Sequence, residues 1–344
     1  MSAKSSTASA CLMGFCALVL AASAAAAKAT FTKVKVPHAN PTLLEVMNNH
    51  GALAGQYSEV ASGPAFIRAP DGTFTTFAVD GAVSTIPRGL SDDGAVGGRY
   101  DLPDDSIHGF FRDPSGTLTL FDAPGQGAAE IVGMNAQHDI LGIYFPEDGD
   151  LAGFIRHPDG SFSTFAVDGA NPAYLSLAGL NKAGVAAGSY TDANFVGHGF
   201  LRQPNGEIDS VDAPGAGRGA LQGTSVSFIN DNGAVVGFYK DKHDALQAYL
   251  RKPDGTFHRV QLLPARFLRL SGLNNNGDVS GCYSSNDIWR GFIRKAGGKI
   301  VTFDLPWGNS KDMCTVGIND AGQVAGYVRY GSFGQKEFGF LRTP

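Results

Sequence analysis

The chain has 344 residues, a formal net charge of −5 at neutral pH and four cysteines. Its mild acidity argues against nucleic acid and anionic lipid as partners, because both require clustered Lys and Arg side chains. Its 46 glycines exceed the usual level of about 7%. They recur at regular intervals, which indicates turns and closely packed strands rather than disorder.

The first 27 residues have the organisation of a secretory signal peptide. Lys4 is the only charged residue before an apolar run from Cys11 to Ala22, and A-x-A cleavage sites follow up to Ala27. The run is too short to be a convincing membrane span, and the residues before Cys16 do not match a lipoprotein signal. We therefore predict a secreted protein, extracellular or periplasmic and not membrane-bound after cleavage, with residues 28–344 forming one domain.

Seven copies of one pattern fill the chain after this leader. Each copy reads approximately Gly-(Ile/Leu)-Asn-x-x-Gly-x-Val-x-Gly-x-Tyr, then a loop, then Gly-Phe-(Leu/Ile)-Arg-x-Pro-Asp-Gly. One glycine of the first half recurs every 43 to 49 residues, at Gly55, Gly98, Gly142, Gly188, Gly237, Gly281 and Gly326. A period of this size is typical of β-propellers and solenoids.

Each copy divides into four short segments separated by turn residues. Short apolar segments without helical periodicity predict strands and an all-β fold. Two connections are tight turns: an Asn-x-x-Gly hairpin, as in 230–233, and a Pro-Asp-Gly turn, as in 253–255. His138 stands where the glycine of the third hairpin belongs. The other two connections vary in length and composition.

The alternating strand directions place the tight turns on one rim and the variable connections on the other, which we call the loop-bearing rim. The chain enters with a strand at Thr32–Val36 and stops at Arg342–Pro344, where the next Pro-Asp-Gly turn would begin. We therefore predict a monomeric, seven-bladed β-propeller with four short antiparallel strands per blade. Its ring would be closed by the N-terminal strand pairing with the last strand.

Three further elements support a family resemblance: His108–Arg112 and His198–Arg202, the Asp-x-Pro-Gly sequences that begin at Asp122 and Asp212, and Gly317–Tyr327. In these elements the chain, from Phe31 onwards, resembles the bacterial extracellular HAF-type repeat proteins. The chain departs from the name-giving His-Ala-Phe. The residues at the first position of the seven copies are Pro64, His108, Ala152, His198, Gln247, Arg290 and Phe338. The resemblance implies secretion and a propeller-like repeat, without an assigned reaction or catalytic residues.

Several side chains could take part in redox chemistry, metal binding or ligand binding, but a structural role explains them more simply. Cys282 and Cys314 remain after the leader, and a disulfide between neighbouring blades and two free thiols are both compatible with the sequence. His108 and His198 lie in separate repeats, without metal-binding spacing. Seven arginines recur beside the Pro-Asp-Gly turns and are predicted to bond turn carbonyls or a neighbouring strand: Arg68, Arg112, Arg156, Arg202, Arg251, Arg294 and Arg342.

The loop-bearing rim carries many acidic residues. Hard cations such as Ca²⁺ require several oxygens at close range. The weak candidates for such a site are Asp104, Asp105, Asp148 and Asp150. No complete calcium-binding loop is present in the sequence, so a solvated acidic rim is the preferred interpretation, and no other cofactor is predicted.

The same rim is the predicted site of function. Aromatic side chains beside charged groups suit contacts with sugars or proteins. The candidate binding residues are Trp289, Trp307, His243, Arg218, Arg266 and Tyr174. The sequence contains no nucleophile elbow, phosphate loop or dinucleotide motif. We therefore predict a binding module for a glycan or a protein. The alternative is a polysaccharide lyase, lactonase or hydrolase, which would need titratable groups converging at the channel mouth.

Overall fold

The computed structural model describes residues 29–58, 63–125, 129–146, 149–171, 174–261, 263, 265, 267–286, 288–307, 312–330 and 336–344. All the regular secondary structure in these residues is β-strand. Across the described ranges, no helix has the length and apolar character needed to cross a membrane. The predicted signal peptide lies outside the described residues.

The strands are short and follow the predicted spacing. They are β1 (Thr30–Val34), β2 (Thr42–Met47), β3 (Leu53–Tyr57), β4 (Ala65–Arg68), β5 (Phe74–Phe77), β6 (Ser84–Leu90), β7 (Val96–Asp101), β8 (Ile107–Arg112), β9 (Leu118–Phe121), β10 (Ala129–Met134), β11 (Ile140–Tyr144), β12 (Ala152–Arg156), β13 (Phe162–Phe165) and β14 (Leu175–Leu180). The second half contains β15 (Ala186–Thr191), β16 (Gly197–Arg202), β17 (Ile208–Ser210), β18 (Gly223–Ile229), β19 (Val235–Lys240), β20 (Leu246–Arg251), β21 (Phe257–Val260), β22 (Phe267–Leu273), β23 (Val279–Ser285), β24 (Ile288–Arg294), β25 (Ile300–Phe303), β26 (Asp312–Ile318), β27 (Val324–Tyr330) and β28 (Lys336–Thr343).

Within the described residues the strands form antiparallel groups of four, which we call blades. Blade 1 is β2–β5, blades 2 to 6 are the next five groups, and blade 7 is β26–β28 together with β1. The N-terminal strand β1 pairs with β28, from Thr30 opposite Thr343 to Val34 opposite Gly339. The first strand of each blade contacts the first strands of the neighbouring blades, and β2 contacts β26 in the same way. We call these first strands the inner strands.

The recurring glycine lies in the second strand of each blade, beside a one-residue bulge in the inner strand. In blade 2 this bulge falls between Pro87 and Gly89. A Cβ atom on Gly98 would lie 2.2 Å from the carbonyl oxygen of Ile86 and 2.7 Å from the ring of Phe110. Glycine is required here because the bulged backbone and the buried ring leave no room for a side chain.

The recurring arginines have the predicted structural role. Arg112 donates a hydrogen bond to the carbonyl oxygen of Asp113 at 3.3 Å, in the turn that follows β8. Its guanidinium also lies over the ring of Phe77 in the preceding blade, 5.1 Å from the ring centre. Arg156 lies in the same way over Phe121, at 4.8 Å. These cation–π contacts join each of these blades to the one before it.

The hairpin asparagines connect neighbouring blades through a ladder of hydrogen bonds. Asn230 Oδ1 accepts from the backbone N–H of Ala234 at 2.8 Å, and its Nδ2 donates to the carbonyl oxygen of Asn274 at 2.9 Å. The side-chain donor of Asn319 reaches the carbonyl oxygen of Asn49 in blade 1 at 3.4 Å. The equivalent donors in the other blades belong to Asn48, Asn135, Asn181 and Asn274. Each asparagine therefore stabilises its own turn and the next blade together.

Blade 2 has Ser91 at the position of the hairpin asparagine. The serine side chain cannot extend the ladder to blade 3. His138, the residue that replaces the hairpin glycine, lies at this interruption. Its Nε2 is 3.1 Å from Asp93 Oδ2, and its backbone has a left-handed φ of 67°. The His138–Asp93 pair therefore joins blades 2 and 3 where the asparagine ladder is broken.

Cys282 and Cys314 form a disulfide, with their Cα atoms 5.1 Å apart. Cys282 lies in β23 of blade 6 and Cys314 in β26 of blade 7. Of the two possibilities that the sequence left open, the structure has the covalent link between neighbouring blades.

Candidate functional site

The two tryptophans lie on blades 6 and 7. Trp289 is half-buried in β24, and its ring stacks on that of Phe267, with the centroids 6.5 Å apart. The guanidinium of Arg269 lies over the same indole at 5.4 Å. Trp307 follows β25 and packs edge-on against Phe338, with the centroids 5.8 Å apart. Both rings therefore support the packing of these blades while leaving part of their surface exposed.

The remaining candidate binding residues are distributed over other parts of the rim. His243 is exposed in the β19–β20 connection, where its backbone N–H donates to Asp241 Oδ1 at 2.8 Å. Arg266 lies outside the described residues. Tyr174 and Arg218 both reach the junction of blades 4 and 5, where they line separate hollows. The structure thus places these two residues at one junction but in different hollows, and it leaves Trp289 and Trp307 elsewhere. His243 lies in the connection that Gln222 bonds through Asp244.

The weak metal candidates serve the turns in which they lie. Asp104 Oδ1 accepts from the backbone N–H of Ser106 at 3.1 Å and from its hydroxyl at 2.6 Å. These hydrogen bonds lower the pKa of the Asp104 carboxyl. Asp105 occupies the left-handed position of the same turn, Asp150 is exposed, and Asp148 lies outside the described residues. In the part of the chain that the structure describes, no three His, Cys, Asp or Glu side chains are grouped to hold a metal ion.

Two loops of the rim meet at the junction of blades 4 and 5. Loop 192–196 follows β15, and loop 211–222 precedes β18. The backbone N–H of Leu221 donates to the carbonyl oxygen of Phe195, and that of Gly197 donates to Gln222, both at 2.8 Å. Gly197 also pairs with Gly223 in parallel register, which joins the two blades into one sheet. The two loops are thus held together by their own backbones.

Gln222 fixes the longer loop from within. Its Oε1 accepts from the backbone N–H of Gly219 at 3.0 Å, and its Nε2 donates to Asp244 Oδ1 at 3.0 Å in the next rim connection. The backbone N–H of Gly217 donates to the carbonyl oxygen of Lys240 at 2.8 Å. A loop held at this many points loses little conformational entropy when a ligand binds to it.

Four large apolar side chains are exposed at this junction, and we call them the apolar patch. They are Tyr174, Phe195, Leu221 and Leu246, with exposed fractions of 52, 43, 72 and 61%. The rings of Tyr174 and Phe195 are in contact, with centroids 6.0 Å apart, while Phe195, Leu221 and Leu246 line one groove. A continuous exposed apolar surface marks an interaction site more often than scattered apolar residues do.

Two members of the patch have an unfavourable backbone conformation. Phe195 has a φ of 61° and Leu221 a φ of 63°, in the left-handed region that bulky residues rarely adopt. The connections of blades 2 and 5 have the same hydrogen-bonded turn, and there Asp105 and Asp244 occupy the left-handed position. Aspartate adopts this conformation at a lower free-energy cost than phenylalanine does. Blade 4 therefore presents an apolar ring at a position where a short polar residue would be less strained.

Three hollows surround the patch. The apolar groove, of about 310 Å³, lies beside Phe195, Leu221 and Leu246. A second groove of about 280 Å³ lies beside Tyr174, and Thr191 and Gly197 line both grooves. The polar pocket, of about 520 Å³, is lined by charged and polar side chains that include Asp192, His198, Asp212 and Arg218.

His198 in the polar pocket has a structural partner. Its Nδ1 lies 2.9 Å from Asp212 Oδ2, its Nε2 lies 3.8 Å from Asp192 Oδ2, and its ring stacks on Tyr190. The same pairing occurs elsewhere in the ring, between His108 and Asp122 in blade 2 and between Arg290 and Asp304 in blade 6. A pair repeated in three blades is explained by the scaffold, since it joins the third strand to the connection after the fourth.

Three other ionisable residues converge on the inner strands of blades 1 to 3. Arg88 lies 2.9 Å from Glu45 Oε2 and 3.3 Å from Glu130 Oε1. Burial raises the pKa of Glu45, although the guanidinium of Arg88 acts in the opposite direction. A separate hollow of about 180 Å³ is lined by ladder asparagines such as Asn48 and Asn319.

No protein-family model matches the chain, and no curated protein matches it either. Solved structures do match. The propeller domain of the Trilobed protease from Pyrococcus furiosus aligns with a TM-score of 0.61 and 11% identity, over 87% of this chain and 95% of that one. The chain is a β-propeller.

Two further propeller neighbours show the same likeness at low identity. A catalytically inactive variant of virginiamycin B lyase from Staphylococcus aureus, with quinupristin, aligns at a TM-score of 0.55 and 14% identity, over 92% of this propeller and all of that chain. A prolyl endopeptidase aligns at 0.64 and 13% identity over 89% of this propeller, which spans only half the length of that enzyme. Likeness at these identities establishes the fold alone.

The repeat pattern does not predict a role for Phe195, Leu221, Leu246 or Gln222. One signal for Phe195 was available, because aligning the repeats places it opposite Asp105 and Asp244. Leu221 and Gln222 belong to a connection whose length differs between repeats, whereas Leu246 begins β20. The pairing of Gly197 with Gly223 holds that connection beside Phe195.

Proposed function

We propose that the protein is a secreted, monomeric binding module that holds a glycan or protein ligand on the loop-bearing rim, at the junction of blades 4 and 5. The apolar patch carries this proposal. Phe195 and Leu221 are exposed to solvent and also held in the left-handed backbone conformation. The folded state gains little from exposed side chains and loses free energy through the strain, so binding is the better explanation of these residues.

The rigidity of the two loops supports the same conclusion. The backbone bonds between Phe195 and Leu221 and the side-chain bonds of Gln222 hold the patch in place before any ligand arrives. A preformed surface binds more tightly than a mobile one with the same contacts. The disulfide between Cys282 and Cys314 is consistent with the proposed export, because disulfides persist in oxidising compartments.

The experiment compares two exposed phenylalanines of the same rim. Phe195→Asn removes a ring from the patch, whereas Phe145→Asn removes an exposed ring from the β11–β12 connection of blade 3. Soluble glycan arrays and a displayed library of random peptides are screened with the wild-type protein, and affinities are then measured for both variants. We expect Phe195→Asn to weaken binding roughly tenfold or more, and Phe145→Asn to leave it unchanged. Equal binding by both variants would place the site elsewhere.

An extracellular lyase, lactonase or hydrolase acting at the channel mouth is a second candidate. The convergence of Glu45, Arg88 and Glu130, with the raised pKa of Glu45, is the observation in its favour. Polyuronides and small lactones are incubated with the wild-type protein and with Glu45→Gln. Turnover that Glu45→Gln abolishes would support an enzyme. No turnover by the wild type on any of these substrates would count against it.

A further inference from the structure

We infer that the ligand of the apolar patch is a peptide segment of a partner protein, in which a cationic side chain lies close to a large apolar one. This inference rests on the proposed function and specifies its ligand. Three properties of the junction lead to it: the composition of the patch, the grooves beside it and the charge of the polar pocket.

The patch is poorly suited to a sugar ring. Sugars stack on a flat aromatic face, whereas the rings of Tyr174 and Phe195 are inclined at 74° to each other and contact edge to face. The other half of the patch consists of the aliphatic side chains of Leu221 and Leu246. Mixed aromatic and aliphatic surface with this exposure instead matches the apolar centre of a protein–protein interface.

The grooves beside the patch can receive side chains. The apolar groove holds about 310 Å³ between Phe195 and Leu246, and the second groove holds about 280 Å³ beside Tyr174. The two grooves are neighbours, because Thr191 and Gly197 line both of them. An extended peptide crossing the patch can therefore place apolar side chains in both grooves, and these side chains would leave water on binding.

The polar pocket, which Gly197 also lines, favours a cation. Its charged side chains are the carboxylates of Asp192 and Asp212 and the guanidinium of Arg218, with His198 between the two carboxylates. Carboxylates outnumber guanidinium groups in this lining. A lysine or arginine of the partner would therefore be attracted to it, and an acidic side chain would be repelled.

The test uses a displayed library of random 12-residue peptides, followed by synthetic peptides of the enriched sequences. We expect enriched peptides to carry Lys or Arg within a few positions of Leu, Phe or Trp. Their affinity should fall roughly tenfold in Phe195→Asn and several-fold in Asp212→Asn, and it should weaken as salt concentration rises. Asp122→Asn is the matched control, because it alters the equivalent His–Asp pair in blade 2 and should leave affinity unchanged.

Other outcomes overturn the inference in distinguishable ways. Glycan binding that Phe195→Asn abolishes would retain the proposed function and replace the peptide by a sugar. Enriched peptides that lack a cationic residue, or that bind Asp212→Asn as well as wild type, would refute the role of the polar pocket. A dimer in sedimentation that Leu221→Asn dissociates would make a second copy of this chain the occupant. If neither peptides nor glycans depend on Phe195, the inference and the proposed function both fail.

Discussion

Leu221 allows the free-energy cost of the apolar patch to be measured apart from its use in binding. Its backbone has a φ of 63°, and its side chain is 72% exposed. The left-handed conformation costs an ordinary L-residue about 1–2 kcal/mol, and asparagine adopts it more readily. Replacing Leu221 by Asn should relieve most of that strain. It also removes the buried quarter of the leucine side chain, which contributes about 0.5 kcal/mol.

The net expectation for Leu221→Asn is an increase of about 0.5–1 kcal/mol in the free energy of unfolding. Leu221→Ala loses the same apolar contact but retains the strained backbone, so it should be about 0.5 kcal/mol less stable than wild type. The two variants should therefore differ by about 1–1.5 kcal/mol, or about 2 °C in melting temperature. Calorimetry and urea unfolding of the three proteins measure this difference.

Leu246→Asn is the control for exposure alone. Leu246 is also an exposed leucine of the patch, but it lies in β20 without a left-handed φ. Asparagine is disfavoured in strands, so this variant should not be stabilised. If Leu221→Asn is no more stable than Leu221→Ala, the backbone at 221 stores no strain, and the main support for the proposed site is lost. If it is more stable and also binds more weakly, the patch exchanges stability for function.

Three further predictions concern the scaffold. Asn230→Ala leaves the buried N–H of Ala234 unpaired and removes one of the two hydrogen bonds to the carbonyl oxygen of Asn274, so it should cost about 1–3 kcal/mol in urea unfolding. Ser91→Ala, at the broken step of the ladder, should cost less than half as much. Cys314→Ser removes a disulfide between residues 32 positions apart and should lower the free energy of unfolding by about 3–4 kcal/mol. Reductant should cause no further loss in this variant. Equal stability of the variant and the wild type without reductant would contradict this. Burial opposes ionisation of Asp93, but hydrogen bonds from Ser91, Ala95 and His138 outweigh this effect and lower the pKa of its carboxyl. Asp93→Asn should therefore reduce the melting temperature above about pH 4, and the difference from wild type should shrink as pH falls below the lowered pKa. A difference that grows in acid would refute the assignment.

Much of the fold could be predicted because the residues that form each turn and strand lie close together in the chain. The hairpin asparagines, the Pro-Asp-Gly turns and the alternating apolar residues act over a few positions, so sequence alone indicates strands, turns and a propeller. The structural role of the arginines also followed from their recurrence, and contacts such as Arg112 with Phe77 confirm it. His138 was recognised as an exception, but its reason required the neighbouring blade, where Asp93 pairs with it.

The candidate site was less accessible to sequence reasoning. The variable connections predict a functional site on the loop-bearing rim. Within that rim, composition alone indicates which aromatic and charged residues could bind a ligand. Composition predicts Trp289 and Trp307 as binding residues, although in the structure the first stacks with Phe267 and the second packs against Phe338. Tyr174 and Arg218 were selected by the same criterion and do line the junction of blades 4 and 5.

The sequence by itself determined what repeats: the strand spacing, the tight turns, the glycines and the all-β propeller, since these depend on interactions between residues close in the chain. Only the tertiary structure decided what does not repeat. The disulfide between Cys282 and Cys314, the pairing of Gly197 with Gly223, and the exposed patch around Phe195 and Leu221 arise where neighbouring blades meet. Blade packing sets the distances between such residues, and no spacing along the chain encodes them.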